Sequence, residues 1–299
     1  MAEIHHFDYG WVTPTVSYTL SVLGSLLGLI CAVRFRAAPS TGWRVWWLSL
    51  AAIAIGGTGI WTMHFVAMLG FSVVGAPIRF DVSLTAVSAI IAIAAVGTGF
   101  AIALLGSAAR RARILVGGVI AGLGVAAMHY TGMAAMRLDG DIDYGTTRVL
   151  ESIAIAVVAA TVALWLALTV KRPAAIITAA LVMGVAVNGM HFTGMSAMSV
   201  HEHASTGTPH GAPATSLLIP IGLAVVFTVL GLVYALMAAP TEEDRAGAAF
   251  LAARLAVGEA NGAGRVPRQR PRPQPQPGQR STIDGNSSWT FRDRDRSAN

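Results

Sequence analysis

The sequence predicts an all-α, polytopic membrane protein with seven transmembrane helices. Of its 299 residues, 54% are hydrophobic and only 12% are charged, whereas a soluble domain usually carries about 25% charged residues. Seven apolar stretches are long enough to cross a bilayer core of about 30 Å, which takes roughly 20 helical residues. The predicted spans are Thr13–Val33, Val45–Leu69, Val82–Gly106, Ile114–Met136, Ser152–Val170, Ala174–Met198 and Ser216–Ala239.

Charged and turn-forming residues mark where the spans begin and end. The leader before the first span, Met1–Val12, contains acidic residues but no lysine or arginine, so we expect no cleavable signal peptide. Basic segments then separate spans one and two (Arg34–Arg44), three and four (Arg110–Arg113), and five and six (Lys171–Pro173). Because a charged side chain is costly in hydrocarbon, these segments are predicted to lie outside the bilayer core.

The basic residues of the short loops predict the orientation. The loops after spans one, three and five contain eight lysine and arginine residues and no acid, whereas the N-terminus and the other loops contain three arginines and eight acids. Loops rich in lysine and arginine stay in the cytoplasm. The N-terminus is therefore predicted to lie outside and the C-terminus inside, in a multi-pass protein of the cell membrane.

The composition changes after the seventh span, which divides the chain into a membrane domain of residues 1–239 and a tail of residues 240–299. Thr241–Val257 predicts one short helix with an acidic start. Arg265–Arg280 alternates proline, glutamine and arginine, a composition that cannot bury a core and is typical of a disordered cytoplasmic segment. Lipid binding and docking to a protein partner both remain open for this tail. Since the basic excess lies in the inner loops and the tail and is partly offset by acidic outer segments, we expect no nucleic-acid partner.

One motif occurs three times, near the outer end of each even-numbered span. The copies read Met-His-Phe-Val-Ala-Met from Met63, Met-His-Tyr-Thr-Gly-Met from Met128 and Met-His-Phe-Thr-Gly-Met from Met190. An internal period of this length indicates a repeated structural unit. The unit is a two-helix hairpin, so three hairpins (spans two and three, four and five, six and seven) follow span one as an extra helix.

Helical geometry relates the residues of each motif to one another. At 100° per residue, each histidine and the methionine four residues later lie on one face, and the residue seven positions after the histidine is predicted to return to it. The methionine just before each histidine points about 100° aside. The histidines are His64, His129 and His191, the following methionines are Met68, Met133 and Met195, the preceding ones are Met63, Met128 and Met190, and the residues seven positions on are Phe71, Met136 and Met198.

Three histidines at one depth, about 10 Å below the outer face, predict a metal site. Imidazole binds copper, iron and zinc, and thioether sulfur favours copper, especially Cu(I). The motifs supply enough ligands for one or two copper ions, with Thr131 and Thr193 as candidates for orienting them. A purely structural interpretation remains open, because methionine often fills cores and Gly or Ala lets helices approach closely.

Met128-His129-Tyr130-Thr131 resembles the signature of the MHYT family of bacterial integral-membrane sensor domains, and the other two copies resemble its common variants. The resemblance covers roughly Tyr9–Leu236. It implies a signalling sensor proposed to bind copper and to perceive oxygen, carbon monoxide or nitric oxide. By position it implies nine candidate metal ligands: His64, His129, His191, Met68, Met133, Met195, Met63, Met128 and Met190. Many family members continue into an output domain, whereas this sequence continues into the tail, so a separate cytoplasmic output protein is expected.

Other classes of protein fit the residues less well. Nothing resembles a hydrolytic triad, a phosphate-binding loop or an acid/base pair, so we expect no enzymatic activity. A haem-binding electron carrier remains an alternative, because two of the three histidines could face each other across a macrocycle. A copper-handling transporter is a further alternative, although its ligands would be distributed through the bilayer, and spans three, five and seven contain no intramembrane histidine or acid.

Overall fold

A computed structural model describes residues 4–5, 7–74, 76–106, 108–202, 209–238 and 242–263 of the chain. Seven of the described helices are long and apolar enough to cross a membrane, which confirms the all-α polytopic prediction. The helices are α1 (Val12–Ala37), α2 (Thr41–Ala52), a π-helical segment (Ile53–Thr62), α3 (Met63–Met68), α4 (Val82–Leu104), α5 (Arg110–Ala134), α6 (Thr146–Thr169), α7 (Pro173–Met195), α8 (Ala214–Met237) and α9 (Glu242–Ala263). The strands are β1 (Ile4–His5), β2 (Ser72–Val73), β3 (Arg79–Phe80), β4 (Met136–Arg137), β5 (Gly140–Tyr144), β6 (Met198–Glu202) and β7 (Ala212–Pro213).

The second span is one continuous helix of mixed geometry, made of α2, the π-helical segment and α3. The sequence predicted one span over Val45–Leu69 but did not predict that its central ten residues are π-helical. These residues include Gly56, Gly57 and Gly59. π-Helical turns are rare and frequently occur at functional sites. This one ends immediately before Met63 and His64, the start of the first motif.

Small residues bring the helices close together in the middle of the bundle. A Cβ atom added to Gly24 of α1 would lie 2.6 Å from the carbonyl oxygen of Ala54 in the π-helical segment. Between α4 and α5, a Cβ atom on Gly117 would lie 2.7 Å from the carbonyl oxygen of Gly99. Such contacts are typical of membrane helices, in which small residues at crossings permit close backbone packing.

Helix α1 joins the first and last repeats. It packs against the π-helical segment on one side and against α7 on the other. Ser17 of α1 donates a hydrogen bond to the side-chain oxygen of Asn188 in α7, over 2.9 Å. The extra helix of the predicted repeat pattern therefore closes the bundle, and Asn188 connects it to α7.

The loops at the predicted outer end form short antiparallel sheets above the helices. Strand β1 pairs with β2, β3 lies between β4 and β7, and β5 pairs with β6. At the start of α4, Asp81 accepts a hydrogen bond from the Leu84 backbone N–H at 3.1 Å and forms an ion pair with Arg137 at 3.2 Å. These two donors lower the pKa of the Asp81 carboxyl, because both stabilise the carboxylate.

The strands correct the predicted outer ends of the motif helices. Helices α3, α5 and α7 end at Met68, Ala134 and Met195, short of the expected ends. The residues seven positions after the histidines therefore do not continue the helical face: Met136 and Met198 lie in strands β4 and β6, and Phe71 lies in a loop. The prediction was wrong because strand pairing between distant loops ends each helix before its apolar sequence does.

Arginines of the predicted inner loops bind the C-terminal ends of neighbouring helices. Arg36 donates hydrogen bonds to the carbonyl oxygens of Ala167 and Val170 at the end of α6. Arg113 donates from Nε to the Ile102 carbonyl oxygen in α4, over 2.7 Å. Carbonyl groups of the last helical turn have no partner within the helix and carry partial negative charge, so these contacts satisfy them.

The described chain divides into two compact units at residue 239. The second unit contains α9, which extends six residues beyond the predicted end at Val257. The Pro- and Arg-rich segment predicted to be disordered, Arg265–Arg280, lies outside the described residues.

Candidate functional site

The three motif histidines meet in the interior of the bundle. His64 in α3, His129 in α5 and His191 in α7 are each at most 2% exposed. The Nδ1 atom of His64 lies 2.9 Å from Nδ1 of His191 and 3.1 Å from Nδ1 of His129. One ring nitrogen from each residue lies within 4.8 Å of the other two. Residues separated by more than 120 positions thus form one cluster, which we call the histidine cluster.

The rings of the histidine cluster are arranged edge to face, with centroids 4.8 to 5.2 Å apart and planes inclined at 72° to 88°. His129 and His191 also contact the aromatic residue that follows each of them, Tyr130 and Phe192, with centroids 5.0 Å apart. Three copies of one helical motif, each contributing its histidine at the same height, produce this near-threefold arrangement.

The glycine of the second and of the third motif provides the space for a histidine of another motif. A Cβ atom on Gly132 would clash with Nε2 of His64, and one on Gly194 would clash with Nε2 of His129. The sequence indicated close helix approach at these glycines. The group that approaches is an imidazole ring, so the glycines set the position of the cluster.

The histidine cluster is polar and deeply buried. The Nε2 atoms of His64 and His129 have no hydrogen-bond partner among the described residues. An unsatisfied buried polar atom costs about 1–3 kcal/mol, and ionisable groups inside a membrane are usually retained for function. The cluster therefore lowers the stability of the folded protein, which favours a functional role over a role in packing.

Two of the three separations between the Nδ1 atoms suit a single metal ion after a small adjustment. Three nitrogens bound at about 2.0–2.1 Å to one ion lie about 3.3–3.6 Å from one another. The observed separations of 2.9 and 3.1 Å need to grow by only a few tenths of an ångström. Three imidazoles, converging with no carboxylate of the described residues among them, suit copper or zinc rather than a hard cation.

The six motif methionines divide into two sets of three. The methionines that precede the histidines line the same internal cavity as the histidines themselves. The methionines four residues after the histidines belong to a separate apolar group, which we call the outer cluster. The first set is Met63, Met128 and Met190; the second is Met68, Met133 and Met195.

The outer cluster closes the site towards the strands. It joins residues of α3, α5, α7 and α8 to residues of the strands above them, and its members are at most 9% exposed. Its members are Phe65, Met68, Phe71, Val73, Ala76, Phe80, Met133, Met136, Met195, Met198, Val200, Leu217 and Ile221. The histidine cluster is thus separated from the outer end by a dense apolar layer.

A cavity lies on the other side of the histidine cluster. It offers about 70 Å³ to the centre of a water-sized sphere, well above the roughly 10–15 Å³ that one water needs. The three histidines are its polar lining residues, and α6 contributes mostly alanines. Sequence reasoning missed this cavity. The available signal was the small-residue spacing of Ala156, Ala159, Ala160 and Ala163 on one side of α6.

One of the two threonines predicted to orient the ligands forms a hydrogen bond within its own helix. Thr193 donates its hydroxyl to the Gly189 carbonyl of its own helix at 2.7 Å, and the ligand-orienting role of Thr131 and Thr193 stays a prediction. A contact that the sequence did not predict joins Tyr130 to Ser152 of α6 at 2.6 Å. Side-chain hydrogen bonds between neighbouring helices depend on helix rotation, which the motif alone does not specify.

The fold and the site define a polytopic membrane protein whose three repeats each contribute one histidine to a buried cluster. The sequence model of the MHYT family, described as a bacterial signalling protein N-terminal repeat, matches residues 57–118, 122–180 and 184–252. Each match begins at or before a motif and extends over the helix that follows it. The chain belongs to the MHYT family, which makes its matched region a membrane signalling domain.

Curated relatives are signalling proteins. The chain is 38% identical over 234 residues to the bifunctional diguanylate cyclase/cyclic di-GMP phosphodiesterase MucR of Pseudomonas aeruginosa, which covers 75% of this chain and 33% of MucR. It is 33% identical over 225 residues to the cyclic di-GMP phosphodiesterase NbdA of the same organism, covering 70% of this chain and 28% of NbdA.

An uncharacterised signalling protein of Caulobacter vibrioides is 34% identical over 193 residues, which cover 63% of this chain and 23% of that protein. The chain thus spans about a third or less of the length of these relatives. No solved structure gives a significant match.

Proposed function

We propose that this chain is a sensor of the bacterial cell membrane that binds copper at the histidine cluster and perceives a diatomic gas (oxygen, carbon monoxide or nitric oxide) or a change of redox state. The observation that carries the proposal is the convergence of three buried imidazoles, with Nδ1 of His64 within hydrogen-bond distance of Nδ1 of both His129 and His191. A buried polar cluster of this kind destabilises an apolar bundle unless a ligand compensates for it.

Copper is preferred to zinc because of the sulfur atoms near the imidazoles. Met63, Met128 and Met190 line the same cavity as the histidines, and soft thioether groups favour Cu(I). We propose the three histidines as the principal ligands and these methionines as auxiliary ones. Met68, Met133 and Met195, placed in the outer cluster, are proposed as the more distant candidates among the nine.

The protein residues give the site its selectivity. Bound copper would supply a soft centre to which a neutral diatomic molecule can bind. Gly132 and Gly194 leave room for the imidazoles. The outer cluster prevents water from reaching the histidines from the predicted outer face. We propose that the sensor acts on a separate cytoplasmic output protein. The similarity to proteins named for cyclic di-GMP synthesis and hydrolysis supports such an output.

The geometry favours this proposal over a haem-binding electron carrier. A macrocycle between two axial histidines separates their rings on opposite faces of the haem plane. Here the three rings contact one another edge to face at 4.8–5.2 Å, which leaves no space for a macrocycle between them. A copper conduit is also disfavoured, because the apolar cavity offers no second layer of histidine or carboxylate ligands.

Metal analysis of the purified protein tests the proposal. After reconstitution with Cu(I) in detergent and removal of excess metal, we expect about one copper per chain and a carbonyl stretching band in the infrared spectrum under carbon monoxide. Combined substitution His64→Ala, His129→Ala and His191→Ala should abolish both. His201→Ala, which changes an exposed histidine of strand β6, should abolish neither. Equal copper content in the triple variant and the wild type would refute the ligand assignment.

A further inference from the structure

The cavity beside the histidine cluster lies next to a groove on the bilayer-facing side of the bundle. The groove runs between α6 and α7 and is lined by apolar residues of both helices. Three residues line the cavity and the groove alike: Ala159, Met183 and Ala186. The two spaces are therefore separated by a wall that is a single layer of side chains.

This wall is thin because its residues are mostly small. Ala159 and Ala186 are only half-buried although they also line the internal cavity. Met183, which lies between them, is 5% exposed and is the long side chain at this boundary. Methionine is unbranched and has three rotatable bonds, so it can change rotamer at little cost and open the gap.

The other approach to the cluster, from the outer end, is obstructed. The outer cluster and the paired strands cover the histidines on that side. The cavity side presents apolar residues up to the histidines themselves. A charged or strongly hydrated species would lose its hydration along such a path at a cost of several kcal/mol or more, whereas a neutral diatomic molecule loses almost none.

We propose that small apolar molecules reach the histidine cluster sideways from the bilayer, through the gap between α6 and α7 that Ala159, Met183 and Ala186 border. The cavity is their binding site, and its size suits a ligand of a few atoms. The inference deepens the proposed function, since it names the route by which the gas reaches the cluster. The route itself requires neither copper nor the histidines.

Xenon is the probe for this route, because dry apolar cavities bind it. The wild-type protein in lipid nanodiscs should give a bound ¹²⁹Xe resonance that exchanges with xenon dissolved in the lipid. Ala159→Phe places a large ring in the wall and should slow this exchange at least tenfold or remove the bound signal. Ala154→Phe, which alters the groove five residues away without lining the cavity, should exchange like the wild type.

A second pair of variants tests the opposite side of the gap. Ala186→Leu in α7 should slow exchange, and Val182→Leu, which lines only the groove, should not. Every variant is accepted only with a monodisperse elution profile and wild-type helical content. Absence of bound xenon in the wild type, or unchanged exchange in both Ala159→Phe and Ala186→Leu, would overturn the proposal. The triple histidine variant separates the two hypotheses: lost copper binding with unchanged xenon exchange supports both the ligand assignment and the lateral route.

Discussion

At the scale of single residues, the motif works through its glycine as well as through its histidine. The imidazole of one repeat occupies the space above the glycine of the next: His64 above Gly132 and His129 above Gly194. The first copy has Ala67 at the corresponding position. The motif Met-His-aromatic-x-small-Met lies within one helix, but its histidine and its small residue contact different repeats.

Gly132→Ala tests this contact. The added methyl group meets the His64 ring, and overpacking of a close contact typically costs about 1–3 kcal/mol. Because alanine favours the helix by about 1 kcal/mol over glycine, we expect the free energy of unfolding to fall by at most about 2 kcal/mol. Copper affinity should weaken by about 10–100-fold, as when a group that supports a metal ligand is lost. Thermal unfolding in detergent and competitive Cu(I) titration measure the two effects.

Gly189→Ala is the matched control for Gly132→Ala. A Cβ atom at Gly189 of α7 meets no atom within 4 Å, although this glycine is only two residues from His191. Alanine favours the helix by about 1 kcal/mol over glycine, so stability should stay the same or rise and copper binding should not change. Equal losses in both variants would show that the methyl group acts through general helix distortion.

At the scale of elements, the ends of the helices are set by groups that lie far away in the chain. Strand pairing at the outer end stops α5 at Ala134 and α7 at Met195. At the inner end, Arg36 at the end of α1 supplies donors to the last carbonyl groups of α6. The inner-loop arginines that predict orientation therefore also have a structural role, which a count of charges does not reveal.

Arg36→Ala should destabilise the bundle. The guanidinium binds two carbonyl oxygens at the end of α6, and hydrogen bonds to charged groups contribute about 1.5–3 kcal/mol. Because the side chain is partly exposed and solvent weakens the interaction, we expect a loss of about 1–2 kcal/mol in thermal unfolding. Arg44→Ala removes an exposed arginine from the first turn of α2 and should change stability little; a comparable loss there would contradict the specific role of Arg36.

At the scale of the whole molecule, three hairpins and one extra helix create a centre that no single repeat contains. Each repeat contributes one imidazole, and α1 closes the bundle between the π-helical segment and α7. The apolar core lies on the cavity side of the histidines and the outer cluster lies on the other. The histidine cluster is therefore a polar layer between two apolar layers.

Labelling of single cysteines tests the orientation of the whole molecule, which rests on the eight basic residues of the inner loops. A membrane-impermeant maleimide applied to intact cells should label Arg148→Cys and leave Lys171→Cys unlabelled, and permeabilisation should expose the latter. Both variants are made in a Cys31→Ser background, since Cys31 is the one cysteine of the sequence. The reverse pattern would place the histidine cluster near the cytoplasmic face.

The sequence alone determined the number of spans, the three repeats and the three histidines at one depth. These properties are local, because hydropathy and helical spacing depend on residues close together in the chain. The tertiary structure decided which ring nitrogens converge, which three methionines line the cavity, where the helices end and where α6 and α7 leave a gap. Each of these depends on how the helices are rotated against one another, and that rotation follows from contacts such as Gly132 with His64 and Ser17 with Asn188, which join distant parts of the chain.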